Sequence, residues 1–104
     1  MTLAANNWAL IAYTPGAWTD LVPTAAGPTV IKSLIVTVGG SAAAIKARIT
    51  DASSALVATV FPDTVLSVNT AHTADIPLVC LKAGQKLQVN VSVAGVEISA
   101  HGAA

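Results

Sequence analysis

Charge is what this chain has least of. Five Lys+Arg and five Asp+Glu make up 10% of 104 residues, with a formal net charge of zero. Ordinary domains carry about 25% charged residues. With no strongly basic face to neutralise phosphates, nucleic acid is not an expected partner. Cysteine is nearly absent too. Cys80 stands alone, which excludes an intrachain disulfide and with it a disulfide-built secreted scaffold. Its setting, Ile76-Pro-Leu-Val-Cys-Leu81, suggests a buried, inert thiol. No apolar run approaches the ~20 residues of a membrane helix, and Lys32 and Ser33 interrupt the longest candidate. The first residues, Met-Thr-Leu-Ala-Ala-Asn-Asn, lack the basic n-region of a signal peptide, and Asn6 and Asn7 break their apolar stretch. Helical periodicity is weak throughout.

Apolar residues are plentiful: 54% of the chain, with a mean hydropathy of +0.70. The length suits one domain, residues 1–104, burying roughly 60–70% of its unfolded surface. So small a chain with so little charge must leave apolar surface exposed, and such surface marks association. The composition is that of a subunit in a larger assembly.

The clearest pattern lies near the C-terminus. Leu87, Val89, Val91 and Val93 alternate with Gln88, Asn90 and Ser92, a period of two that gives a strand one dry face. Ala94-Gly95 reads as a tight reversal, after which Val96, Ile98 and Ala100 alternate with Glu97, Ser99 and His101. The pattern predicts a β-hairpin over Lys86–His101. Upstream, Trp8–Thr14, Trp18–Val22, Thr29–Val38, Ile45–Thr50, Leu56–Phe61, Val65–Val68 and Ala74–Leu81 read as strands. Pro15-Gly16, Pro23–Pro28, Gly39-Gly40, Asp51–Ser54, Pro62-Asp63 and Lys82–Gln85 punctuate them. The expected fold is all-β, a single antiparallel β-sandwich of about eight strands, jelly-roll-like, with an immunoglobulin-like sandwich as the second choice. The expected core is Leu34, Val36, Val38, Ile45, Ile49, Leu56, Val60, Leu78, Leu87, Val89, Val91, Val93 and Ile98. Residues 1–7 have no periodicity and could form an extended arm.

Three strands carry apolar residues on both faces. Ile31 and Ile35 oppose Leu34, Val36 and Val38; Val57 and Phe61 oppose Leu56, Ala58 and Val60; Val79 and Leu81 oppose Ile76, Leu78 and Cys80. A loop, an arm or a neighbouring subunit could cover the second face. Ile31, Ile35, Val57, Phe61, Val79 and Leu81 are the candidate interface between subunits or against a capsid.

Chemistry is hard to find. His72 and His101 lack the three or four closely spaced ligands of a metal site. They read as a surface turn and a solvated chain end. No His-Glu-x-x-His, Gly-x-Ser-x-Gly or Walker loop occurs. Gly39-Gly40-Ser41 is better explained as a hairpin turn than as an anion cradle. Nothing pairs a serine with a histidine and an acid, so catalytic residues, metals and cofactors are all expected to be none. The opposing class is a hydrolase with an unrecognised Ser/His/Asp site. Trp8, Tyr13 and Trp18 cluster early in the chain. They are a candidate aromatic contact patch, either a core or interface anchor or a sugar-stacking platform.

Leu81-Lys-Ala-Gly-Gln-Lys-Leu-Gln-Val89, the following Val91-Ser-Val-Ala-Gly-Val96 and the segment Arg48-Ile-Thr-Asp51 resemble small virion proteins of tailed phages. The resemblance runs from about Trp18 to His101 and rests on turn chemistry plus alternation. It implies a non-enzymatic virion component, first a capsid decoration (cement) protein on the phage head surface, made in the host cytoplasm. The alternative is a tail or fibre component, possibly a glycan- or receptor-binding module. Expected partners are further copies of the chain, a trimer by analogy with proteins at local threefold axes, and the major capsid protein or other virion proteins. No site residue is carried over from the family.

Overall fold

The computed structural model describes residues 5–23, 27–69, 71–74 and 79–104. It is an all-β sandwich. The strands are β1 (Ala5–Leu10), β2 (Trp18–Val22), β3 (Thr29–Thr37), β4 (Ala43–Thr50), β5 (Leu56–Leu66), β6 (Ala71–Ala74), β7 (Val79–Leu81), β8 (Lys86–Val91) and β9 (Glu97–Ala103). One sheet runs β1-β9-β3-β6, with β7 also on β3; the other runs β2-β8-β4-β5. Every pairing is antiparallel. β6 and β7 pair with opposite ends of β3, at Leu34–Thr37 and Thr29–Ile31, while β9 holds its other side. They therefore act as one interrupted edge strand.

The partners β4·β5, β3·β6/β7, β2·β8 and β1·β9 nest around one local hairpin. A long double strand folded at residues 51–55 and rolled up gives this order, which is the logic of a jelly roll. Asp51 makes the fold-back point. Its Oδ1 accepts from the Ser53 and Ala55 amides at 2.9 and 3.0 Å, and Ser54 takes the left-handed conformation, φ 65°.

The expected hairpin over Lys86–His101 does not form. β8 lies in the four-stranded sheet and β9 in the five-stranded one. Alternation reports which way side chains point, not which strand lies alongside. Ser92–Val96 crosses the ~10 Å between layers, burying Val96 and half-burying Val93, with Gly95 at φ 85°. Gly39-Gly40 is likewise a crossing between sheets, from β3 to β4, not a hairpin turn. An immunoglobulin-like order, which needs further hairpins, is thereby set aside.

The inward faces meet in a core of Ile31, Leu34, Val36, Ile45, Leu81, Leu87, Val89, Val91, Val96 and Ile98, all at most 2% exposed, with Val38 also buried. Ile49, Val60 and Val93 pack at its margin. Leu56, expected inside, is 61% exposed, because the β4–β5 hairpin projects past the second layer. Leu78 lies outside the described residues. Ile31 and Leu81, expected at an interface, are core residues. The register of β3 against β9 shifts between Ile31 and Ser33. That bulge reverses the parity of the strand, so Ile31 and Leu34 both point inward.

Other boundaries also move. Ala5–Asn7 are not an arm but the start of β1, paired with His101–Ala103; residues 1–4 lie outside the described set. Pro62-Asp63 does not end the strand, and Val65 is not in a separate one. β5 runs through to Leu66 with three register shifts against β4; the one between Ile45, which faces Thr64, and Ala47, which faces Phe61, accommodates a proline within a strand. In the expected Ala74–Leu81 strand, residues 75–78 lie outside the described set. Cys80 is exposed, not buried; it faces Val30 across the edge pairing, and Val30 is only half-buried.

Two substitutions test this packing. A Cβ on Gly102 would overlap the Val30 carbonyl at the β3 bulge, whereas one on Gly40 would meet open space. Gly102→Ala is expected to cost about 1–3 kcal/mol in urea unfolding, and Gly40→Ala less than about 0.5 kcal/mol. Equal effects would refute the close approach. Among the described residues, the Thr50 hydroxyl is buried without a hydrogen-bond partner. Thr50→Val is therefore expected to raise stability by about 1 kcal/mol.

Candidate functional site

Three surfaces carry what this chain offers to other molecules. The first is the outer face of the four-stranded sheet. Cross-strand pairing aligns Trp18, Asn90 and Lys46 in one row and Asp20, Gln88 and Arg48 in the next. The Arg48 guanidinium stacks on the Trp18 ring at 4.0 Å, and Lys46 approaches the same ring at 5.5 Å. Arg48 Nε donates to Gln88 Oε1 at 3.0 Å, and Gln88 Nε2 donates to Asp20 Oδ1 at 2.9 Å. Lys86 reaches the same carboxylate at 3.6 Å. Gln88 is 5% exposed, and both polar ends of its amide are used. The rows form a connected lid over the sheet. Each exposed ionic contact is worth at most about 1 kcal/mol, and the stacked arginine about 0.5–2 kcal/mol.

The second surface is the outer face of the five-stranded sheet. His101 is not at a solvated chain end. It sits half-buried in β9, with Asn7 opposite on β1 and Ser33 on β3. Its Nδ1 lies 2.9 Å from Asn7 Oδ1 and its Nε2 3.2 Å from Ser99 Oγ. Asn7 Oδ1 can only accept, so Nδ1 carries the proton and Nε2 accepts from the Ser99 hydroxyl. Sequence spacing puts Ser99 and His101 on one face, but Asn7 lies 94 residues away, so only the β1–β9 pairing brings it in. The arrangement has the outline of a serine–histidine relay. A serine–histidine pair alone does not make such a site. β9 is flanked on both sides, so its amides are spent in ladders, and an acyl-transfer centre needs free donors aimed at the developing oxyanion. Beside the relay is a shallow, open depression lined by Ala9, Ile11, Ile35, Thr37, Glu97, Ile98 and Ser99. Ile35, an expected interface residue, is half-buried there. Among the described residues no three His, Cys, Asp or Glu side chains gather as metal ligands. The side chain of His72 lies outside the described set.

The third surface is β5 with the turn after it. Leu56, Val57, Val65 and Val68 are 61%, 50%, 76% and 43% exposed. Val57, expected at an interface, is exposed. Leu56 was misread as core, and Val65 and Val68 were missed because a two-residue break seemed to end the strand at Pro62. The side chains of Phe61 and Val79, the remaining candidates, lie outside the described residues.

The three aromatic rings do not form one patch. Trp8 shares an inward row with Ala100 and Leu34 and packs on the core. Tyr13 closes the crossing from β8 to β9: its hydroxyl donates to the Val93 carbonyl at 2.6 Å and accepts from the Val96 amide at 3.1 Å. Trp18 lies on the opposite sheet under Arg48. Tyr13→Phe leaves both backbone groups of the crossing without that partner. Its expected cost is about 1–3 kcal/mol in thermal or urea unfolding, and a cost near zero would show that the clasp is dispensable. No family model, curated protein or solved structure matches the chain.

Proposed function

We propose that this chain is a non-enzymatic structural subunit that acts by associating with copies of itself and with neighbouring proteins, as a decoration or cement protein on a phage head. The observation that carries the associating part is the gathering of Leu56, Val57, Val65 and Val68 in solvent along one strand and its turn. Large apolar side chains held in water are candidate association surfaces. The virion setting draws its support from the sequence resemblance alone.

The chemistry of the role is simple. A permanent contact typically removes about 800 Å² per partner from water and is apolar at its centre. Such a contact can clamp shell subunits against outward pressure without touching DNA, in keeping with a net charge of zero. The tail-fibre alternative draws less support. A sugar platform needs an open ring face and free polar groups, whereas Arg48 lies over Trp18 and the Tyr13 hydroxyl is spent on backbone.

Apolar association is not screened by salt. Sedimentation at 0.1 M and 1 M NaCl is expected to give the same assembled species, and dissociation in high salt would point to the charged face instead. On particles, a label fused to the chain is expected on the head. Density confined to the tail would overturn the decoration role.

A further inference from the structure

We propose that the outer face of the four-stranded sheet docks an acidic segment of a partner protein, with a carboxylate seated against Lys46 and the Nη groups of Arg48 beside Trp18. This contact belongs to the neighbouring proteins of the role proposed above and is separate from the apolar association.

The chain has five cationic side chains. Three of them, Lys46, Arg48 and Lys86, stand on this one face. Among the described side chains of its strands the one carboxylate is Asp20, and it is spent: it accepts from Gln88 Nε2 at 2.9 Å and lies 3.6 Å from Lys86. Neither Lys46 nor Arg48 forms an ion pair with a described residue. Arg48 uses its Nε on Gln88 at 3.0 Å, while its Nη groups have no hydrogen bond to a described residue. Both cations lie over one ring, Arg48 at 4.0 Å and Lys46 at 5.5 Å from the Trp18 centroid. The ring face attracts each of them and so draws two like charges together. Such charges repel, and an anion placed against both removes the repulsion.

The geometry selects a protein carboxylate. A guanidinium presents its donors in a planar fork, which a carboxylate meets with two parallel hydrogen bonds. Stacking on Trp18 and the bond to the buried Gln88 fix that plane before a partner arrives, so little side-chain entropy is left to lose on docking. An open sheet face suits a protein surface better than an enclosed small molecule. Nucleic acid fits less well. Strong complexes draw on the order of six to ten phosphate contacts, which two unpaired cations on a chain of zero net charge do not supply. The ring is not open for a base to stack on either, because Arg48 already lies over it.

Arg48 is the one arginine in the sequence, so its guanidinium 15N resonances report on this face alone. The probe is a hexaglutamate peptide blocked at both ends, titrated into the 15N-labelled chain at low salt, with hexalysine and a single-stranded hexanucleotide as comparisons. The expected result is a saturable shift of the Arg48 signals with hexaglutamate, none with hexalysine, and binding that weakens steeply as NaCl is raised. Arg48→Lys keeps the charge but loses the fork, and Lys46→Gln loses the second charge. Each is expected to weaken binding by about fivefold, whereas Lys82→Gln, in the turn between β7 and β8, leaves it unchanged. Lys46→Gln keeps the bond from Arg48 to Gln88, so it tests the face even where Arg48→Lys disturbs the sheet. Arg48 signals that do not move at millimolar peptide, or equal losses from all three variants, would overturn the docking face. Tighter binding of the hexanucleotide than of hexaglutamate would overturn the choice of partner. Sedimentation of Lys46→Gln separates this contact from the apolar one: self-association is expected to be unchanged, and its loss would place the face between copies of the chain instead.

Discussion

The bulge in β3 between Ile31 and Ser33 is the constraint on which the five-stranded sheet depends. β3 lies between β9 and the two edge pieces β6 and β7. A strict period of two would turn either Ile31 or Leu34 out into water. The shift lets both face inward, each fully buried, and each such side chain stabilises the fold by about 1.5–3 kcal/mol. It also sets what the neighbouring strand can be. β9 crosses the bulge at Gly102, where the Val30 carbonyl comes too close for any side chain. One extra residue in one strand thus specifies a glycine seventy positions away.

The parts of the fold legible in the sequence were those that depend on side-chain direction. Leu87, Val89 and Val91 are buried because their alternation is unbroken, and the turn at Asp51–Ser54 follows from a side chain that caps its own loop. What stayed hidden depends on neighbours. The alternation in β8 and β9 is the same whether they pair with each other or sit in opposite sheets. Leu56 is as apolar as Leu34, and only the reach of the opposite sheet decides which of them is dry. Ile31 and Leu81 sit out of phase with the core rows read from the sequence, and both turned out to belong to the core. The apolar make-up of Leu56–Phe61 was readable from the residues alone. The Asn7–His101–Ser99 contact was not, because it exists only through the pairing of the first strand with the last.

The surfaces divide by chemistry. The outer face of one sheet is closed by a network in which Trp18, Arg48, Gln88, Asp20 and Lys86 satisfy one another. The outer face of the other carries the histidine contact and a shallow depression. The β4–β5 hairpin has the opposite character, with apolar side chains held in water and an outer edge that no other described strand pairs with. Its exposure leaves large apolar side chains in water, which costs free energy in the isolated chain.

The rolled-up order of strands also sets a timetable. β9 lies between β1 and β3, so the five-stranded sheet cannot close until β9 has been synthesised. Folds dominated by such distant pairings form slowly. Among the described strands the β4–β5 hairpin, closed by the Asp51 turn, is the only pairing between consecutive strands, and hairpins form in microseconds. The hairpin is therefore the earliest piece of structure available on the nascent chain, ready while the rest of the domain is still being made.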